Sequence, residues 1–342
     1  MKGSVTKDSP ATIPSGGKGL LLESSDAKTQ AQVAVDGAER LRATIKLIRP
    51  KQWTKNLIAF APALFSTRIH EMPVIVDVSL CVVAFCLVSS AVYIVNDVLD
   101  AKSDRLHPRK QNRPIASGRI GIPFAVMLAA MFAASGLALA FAVRPTLALL
   151  ILGYFGLMML YGTALKHMVL LDVFAIAAGF VLRAVGGAVA AGVPSSGWFL
   201  ACTSFGALFL GLEKRRQELA LLKDDASSHR KTLMTYSYAL LDRMEAIIIP
   251  SLLTCYAFYS FQSYHGQWMM LTLPFVLYGV MRYQILSVDG GTTGSPEEVL
   301  FRDRPIQITI LLWLLVCAGV VYDVIPHAFA WMVSSVDALR VR

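Results

Sequence analysis

The chain has 342 residues, of which 55% are hydrophobic and only 16% are charged. A soluble domain is about a quarter charged, so this composition excludes an ordinary soluble enzyme with an aqueous surface. The net charge of +9 indicates no nucleic-acid partner, because Lys and Arg accumulate in the cytoplasmic loops of membrane proteins.

The N-terminal segment differs from the rest of the chain. Its first 32 residues are polar and hold Gly, Ser, Pro and Lys, without the apolar stretch of a signal peptide. We expect a disordered cytoplasmic tail over residues 1–40, a catalytic bundle over 41–330 and an extracytoplasmic C-terminal tail over 331–342.

Apolar runs follow that are long enough to cross a bilayer, which takes roughly 17 to 25 helical residues. They predict an all-α, polytopic membrane bundle of about nine transmembrane helices. Their expected limits are 57–70, 75–96, 122–143, 145–163, 169–192, 196–213, 245–264, 267–287 and 306–325.

Most of the 32 lysines and arginines fall in alternate segments between these spans. The positive-inside rule then predicts a cytoplasmic N-terminus and a multi-pass protein of the inner (cytoplasmic) membrane, with its active site on the cytoplasmic face. The cytoplasmic segments are 1–56, 97–121, 164–168, 214–244 and 288–305.

An acidic motif closes the second predicted span. Asp97, Asp100 and Asp104 stand at i, i+3 and i+7, which places three carboxylates on one helix face, and Asn96 joins Asp100 at i, i+4. Carboxylate oxygens are the ligands that Mg²⁺ prefers, and this ion bridges readily to substrate phosphates. The motif predicts a magnesium site formed by the three aspartates, although a solvated helix end would show the same spacing.

A basic segment that includes Lys110 and Arg113 follows at once. Carboxylates, a metal and clustered basic side chains together neutralise a diphosphate. Plain positive-inside charge explains Arg119, but it does not explain why basic residues adjoin three aspartates.

Further polar motifs lie at the ends of other spans. They are RPKQWTKN at 49–56, YGTALKH at 161–167 with Asp172 and Arg183 beyond it, KRRQEL at 214–219, and DGGTTGSPEE at 289–298 leading to Arg302 and Asp303. With the acidic motif, this set resembles the UbiA superfamily of intramembrane prenyltransferases. The later motifs resemble the branch that transfers phosphoribose to decaprenyl phosphate, over roughly residues 45–325.

The resemblance implies a Mg²⁺-dependent transfer of 5-phosphoribose from 5-phosphoribosyl 1-diphosphate to a polyprenyl phosphate, with release of pyrophosphate. Asp97, Asp100 and Asp104 would hold the metal on the leaving diphosphate. The residues expected to contact substrate are Asn96, Lys55, Lys110, Arg113, Tyr161, Lys166, Asp172, Arg183, Lys214, Arg215 and Arg216.

Several of these residues have a second interpretation. An intramembrane Arg183 faces the bundle interior, either as a phosphate ligand or as the partner of Asp172 in a buried ion pair. Lys55 reaches a lipid phosphate or extends to the headgroups. A homo-oligomer is compatible with the sequence.

Two other functions remain open. An aromatic prenyltransferase using a prenyl diphosphate needs a second acidic motif after the sixth span, where the sequence instead reads Glu213, Lys214, Arg215 and Arg216. A secondary transporter needs charged or broken helices on both sides of the midplane, and the outer half is nearly free of charge.

Overall fold

The computed structural model describes residues 37–66, 68–106, 110–222, 235–263, 266–288 and 302–340. Every regular element in these ranges is helical, as predicted. We number the helices of twelve residues or more: α1 (37–48), α2 (Met72–Leu99), α3 (Ile122–Val143), α4 (Pro145–Thr163), α5 (Leu171–Ala191), α6 (Gly197–Leu222), α7 (Tyr238–Gln262), α8 (Leu273–Val288), α9 (Arg304–Val321) and α10 (Val324–Arg340).

Seven helices within these ranges are long and apolar enough to cross a membrane, so the chain is a multi-pass membrane protein. They are α2, α3, α4, α5, α7, α9 and the stretch Gly266–Ser287, which contains most of α8. Each coincides with one of the nine predicted spans. Helix α6 matches the sixth predicted span in position. Charged residues from Glu213 onward make it less hydrophobic on average than the seven helices named above.

The first predicted span, 57–70, is wrong. A 3₁₀ helix, Pro50–Phe60, and a single α-helical turn, Ala61–Leu64, occupy this region instead. Arg49 precedes Pro50 with φ 58°, so the chain turns sharply where the 3₁₀ helix begins. The rings of Pro50 and Pro62 each occupy the first turn of a short helix, where no backbone N–H is needed.

The Pro50–Phe60 segment packs tightly on α5 because of a glycine. A Cβ atom on Gly187 would overlap the backbone carbonyl of Ala59. The absence of that atom lets the two backbones meet, as small residues do between membrane helices. This contact brings the polar side of the segment against the centre of the bundle.

Helix α2 is the central helix of the bundle. Two-thirds of its most apolar window is buried, against about a fifth for α3 and α4, which face the surrounding lipid. It contacts α3, α4, α5 and the Pro50–Phe60 segment. At the middle of α2, the fully buried Phe85 packs edge-on against Tyr154, with the two ring centroids 5.4 Å apart.

Two expected boundaries differ from the structure. Helix α10 runs across residue 330, where we expected a tail to begin, and α1 begins at 37, before the expected end of the N-terminal tail. The rest of that tail, the motif at 289–298 and the last two residues lie outside the described residues.

Candidate functional site

The acidic motif continues the helical path beyond α2. The amide of Asp100 donates to the carbonyl of Asn96, and the amide of Asp104 donates to that of Asp100. Asp97 and Asp104 therefore project to the same side, and both are buried with 3% of their surface exposed. One nitrogen, Nη1 of Arg113, donates to Asp104 Oδ2 at 2.6 Å and to Asp97 Oδ1 at 3.1 Å. A single guanidinium thus holds two buried carboxylates together.

Asp97 has a second cationic partner and Asp100 has a different one. Arg49 donates to Asp97 Oδ1 at 2.6 Å, and its guanidinium lies 5.0 Å from the Tyr93 ring centroid. Lys166 Nζ lies 3.0 Å from Asp100 Oδ1. Within the described ranges, no three His, Cys, Asp or Glu side chains are arranged to hold a metal ion by themselves. The three expected metal ligands are thus divided, with Asp97 and Asp104 in one group and Asp100 in another.

A cavity of about 550 Å³ lies beside this motif. Its walls come from the Pro50–Phe60 segment, α2, α4, α5, α6 and α8. Four cationic side chains line it: Arg49, Lys55, Arg183 and Lys214. None of its described lining residues is acidic. The remaining surface is largely aromatic and aliphatic, so the cavity suits a molecule with both anionic and apolar parts.

Four of the expected substrate contacts line this cavity besides Asn96, namely Lys55, Tyr161, Arg183 and Lys214. Oδ1 of Asn96 is buried and accepts no hydrogen bond from any described residue. Gly162 lies against that oxygen, and a Cβ there would overlap it. Lys110 opens the short 3₁₀ turn Lys110–Asn112 before Arg113 and is not part of the cavity wall.

Of the three consecutive basic residues expected to contact phosphate, only Lys214 lines the cavity. Successive helical residues point about 100° apart, so three in a row cannot share one face. Nη2 of Arg216 donates to Asp242 at 2.7 Å and to Glu245 at 3.0 Å. The structure therefore separates Arg215 and Arg216 from the cavity, contrary to our expectation.

Of the two interpretations of Arg183, the buried ion pair with Asp172 is wrong, because each residue has other partners. Asp172 Oδ2 lies 3.0 Å from Nε of Arg215, and its Oδ1 accepts from the Tyr236 hydroxyl at 3.0 Å. Asp172 and Arg183 are eleven residues apart, or roughly 16 Å along one helix, which is too far for a direct pair. Tyr236 also accepts from the amide of Leu170, so this buried cluster ties the loop before α7 to the start of α5.

Arg183 is held instead by neutral groups. Its Nε donates to Asn56 Oδ1 at 2.6 Å, Nη1 to the Gly179 carbonyl at 2.9 Å and Nη2 to the Tyr154 hydroxyl at 2.7 Å. The Tyr154 and Phe180 rings lie 4.5 and 5.5 Å from the guanidinium carbon. Sequence reasoning missed Tyr154 and gave Asn56 no role, because nothing in an apolar run marks which residue will face an arginine.

The cations in the cavity repel each other. Burial, followed by the charges of Lys214, Arg183 and Arg49, lowers the pKa of Lys55 from 10.5 to about 7. An anion placed among these groups would reverse that effect, since an opposite charge favours the protonated amine. The cavity is therefore arranged to receive negative charge.

Comparison with known proteins identifies the family. A profile of the UbiA prenyltransferase family matches residues 57–302. The chain belongs to this family. The superfamily predicted from the motifs is thereby confirmed.

Several UbiA-family relatives carry one name. A decaprenyl-phosphate phosphoribosyltransferase of Mycobacterium tuberculosis is 34% identical over 284 residues, covering 81% of this chain and 93% of the relative. The protein of that name from Corynebacterium glutamicum is 35% identical over 288 residues, covering 81% and 86%. The branch predicted from the later motifs is the branch to which these relatives belong.

Solved UbiA structures share the fold. A UbiA homolog from Archaeoglobus fulgidus bound to GPP and Mg²⁺ superposes with a TM-score of 0.63 at 18% identity, covering 82% of this chain and 99% of that one. A UbiA homolog from Aeropyrum pernix K1 gives a TM-score of 0.56 at 16% identity, covering 80% and 97%.

Proposed function

We propose that this UbiA-family protein transfers 5-phosphoribose from 5-phosphoribosyl 1-diphosphate to a polyprenyl phosphate and releases pyrophosphate. The observation that carries the proposal is the cavity with four cationic and no acidic lining residues among those described, beside a pair of buried carboxylates. A donor with phosphates at both ends of a sugar matches this charge distribution. The names of the relatives at about a third identity support the same substrates.

The donor set fits a magnesium ion bound together with substrate. Mg²⁺ in such sites takes one or two carboxylates and completes its shell with phosphate oxygens and water. Asp97 and Asp104 supply two carboxylates that already lie within 3.1 Å of one nitrogen, and Asn96 adds an unpartnered oxygen next to them in sequence. The ion would supply positive charge to the departing diphosphate.

Basic side chains at the same place would share this role. Arg113 and Arg49 contact the two carboxylates. Both present planar guanidinium forks, which match phosphate oxygens in pairs, so they would also contact a diphosphate bound at this place. Lys166 pairs with Asp100 and would balance the charge of that carboxylate.

The transfer exchanges one bond at the sugar. An oxygen of the lipid phosphate forms a bond to C1 of the ribose, and the bond from C1 to the diphosphate oxygen breaks with its electron pair leaving on pyrophosphate. The attacking oxygen is already ionised near neutral pH, so no strong general base is required. Lys55 and Lys214 would hold the two anionic reactants close together despite their mutual repulsion.

We place this site on the cytoplasmic side of the inner membrane. The predicted cytoplasmic segments 1–56, 97–121, 164–168 and 214–244 together carry most of the 32 basic residues, and the diphosphate donor is a water-soluble molecule. The apolar cavity wall would accept the isoprenoid next to its phosphate.

The proposal is tested on the purified full-length protein in detergent. Mg²⁺, 5-phosphoribosyl diphosphate and a polyprenyl phosphate are added, and the lipid product and pyrophosphate are followed by mass spectrometry. Asp97→Asn should lower turnover by on the order of 10²- to 10³-fold, as the loss of an electrostatic catalytic group does. Asp77→Asn, near the opposite end of the same helix, is the matched control and should leave turnover unchanged.

The alternative function of an aromatic prenyltransferase predicts a different result. Turnover of a prenyl diphosphate with an aromatic acid, and none with the phosphoribosyl donor, would assign the protein to the aromatic prenyltransferases. That outcome would contradict the substrate assignment while leaving the family intact.

A further inference from the structure

Arg183 is a buried cation that has no anionic partner among the residues that the structure describes. It is 5% exposed, and it donates hydrogen bonds to an amide oxygen, a carbonyl and a hydroxyl. Within the described part of the chain, no carboxylate forms a salt bridge with it. A charge buried in a membrane bundle is costly unless an opposite charge or a wet cavity compensates for it.

The hydrogen bonds of Arg183 leave part of its fork unused. A guanidinium has five N–H groups, and three of them are committed to Asn56, Gly179 and Tyr154. One N–H group remains on each terminal nitrogen, and the two nitrogens of a guanidinium can bind phosphate oxygens together. Arg183 lines the cavity, so an anion there can reach it.

This arginine is separated from the acidic motif. Tyr154, its hydrogen-bond partner, lies seven residues before Tyr161 on α4, or roughly 10 Å deeper along the helix. Tyr161 and Asn96 line the cavity nearer the motif. One anionic group at the motif and another at Arg183 would therefore occupy opposite ends of a single cavity.

We propose that the inner end of the cavity is a subsite for a phosphate monoester, held by Arg183, with Asn56 as its positioning residue. Two reactants of the proposed function carry such a group: the sugar donor at its 5-position and the lipid acceptor at its head. The identification of the ligand as the sugar donor or the lipid acceptor rests on the proposed function. Binding of the anion itself follows from the geometry alone.

Asn56 fixes the direction of the guanidinium. It is fully buried, accepts from Arg183 Nε, and donates from its own Nδ2 to Cys86 Sγ at 3.2 Å. Its amide is neutral, so it orients the arginine without cancelling its charge. A carboxylate at the same position would give Arg183 an internal counter-ion and leave no charge for a ligand.

The test uses that isosteric change. Ribose 5-phosphate, farnesyl phosphate and pyrophosphate are titrated calorimetrically into the detergent-solubilised full chain, into Asn56→Asp and into Arg183→Gln. Asn56→Asp should raise the thermal midpoint of the free protein and weaken monoester binding by roughly tenfold or more. Pyrophosphate titrated in the presence of Mg²⁺, which the proposed function places at the acidic motif, should keep its affinity within about twofold. Asn112→Asp adds the same charge in an exposed turn and should change none of these values.

Each outcome has a definite meaning. Weaker binding of ribose 5-phosphate assigns the subsite to the sugar, weaker binding of farnesyl phosphate assigns it to the acceptor, and weaker binding of both means that either can enter. Unchanged monoester binding in folded Asn56→Asp would overturn the inference, whatever Arg183→Gln does to folding. If the transfer assay gives no phosphoribosyl lipid but monoester binding still depends on Arg183, the proposed function fails and the subsite stands.

Discussion

The site is built from arginines with two different kinds of partner. Arg113 and Arg49 bind carboxylates, so part of their charge is balanced within the protein before substrate arrives. Arg183 binds only neutral groups among the described residues and keeps its charge available. Identical side chains thus serve different ends of the cavity, and the difference comes from neighbours contributed by other helices.

At the same scale, Lys55 makes anion binding depend on pH. Its pKa is lowered to about 7 by burial and by Lys214, Arg183 and Arg49. A bound phosphate restores the pKa toward its ordinary value, so binding takes up a proton. Affinity should therefore fall as pH rises above about 7, by up to about tenfold per pH unit. Calorimetric titration of ribose 5-phosphate at several pH values, from about 6 to about 9, measures this dependence of affinity on pH.

The control for this prediction is a variant whose side chain at position 55 stays positively charged at every pH tested. Lys55→Arg carries a guanidinium that stays protonated throughout, so its affinity for the same ligand should be nearly flat above neutral pH. An equal decline in the arginine variant would show that another group titrates.

At the scale of elements, the Pro50–Phe60 segment forms one wall of the cavity. It begins just after Arg49 and carries Lys55 and Asn56, and it rests on α5 through Gly187. Gly187→Ala would force a methyl group against the carbonyl of Ala59, where backbone must move. We expect a loss of stability on the order of 1–3 kcal/mol together with weaker anion binding, measured by thermal unfolding and calorimetry.

A second glycine provides the comparison. Gly153 on α4 has open space where a Cβ would lie. Gly153→Ala should leave anion binding unchanged and alter stability by no more than about 1 kcal/mol. If both variants behaved alike, the close contact at Gly187 would not be what holds the segment in place.

This segment also shows where sequence reasoning stops. Seven spans were predictable because each is a long apolar run. The shared face of the three aspartates was predictable because the spacing of residues around a helix depends only on the local sequence. The 57–70 run is apolar enough for a span, yet its first residues belong to the 3₁₀ helix Pro50–Phe60, whose packing depends on a glycine more than a hundred residues away. The partners of Asp172, Arg183 and Arg215 likewise depend on which faces meet, and no local pattern records that.

At the scale of the whole molecule, ionic contacts gather at one end of the bundle. Arg113, Lys166 and Arg216 each join a loop or helix end to an acidic residue of another element. Arg282 of α8 pairs with Asp303, the residue just before α9, and this contact lowers the pKa of Asp303. The described loops at that end are therefore tied to the helices beneath them, whereas at the opposite end the described residues include the Arg68–Glu71 pair, which joins near neighbours in sequence.

This asymmetry predicts the orientation of the protein in the membrane. Ser117, exposed beside Arg113, should face the cytoplasm, and Ser195, exposed between α5 and α6, should face outward. In intact cells, a membrane-impermeant thiol reagent should label Ser195→Cys but label Ser117→Cys only after lysis. Four of the five native cysteines are buried and Cys202 lies within α6, so the unsubstituted protein gives the background. Labelling of Ser117→Cys in intact cells would reverse the orientation and place the acidic motif on the outer face, out of reach of a cytoplasmic diphosphate donor.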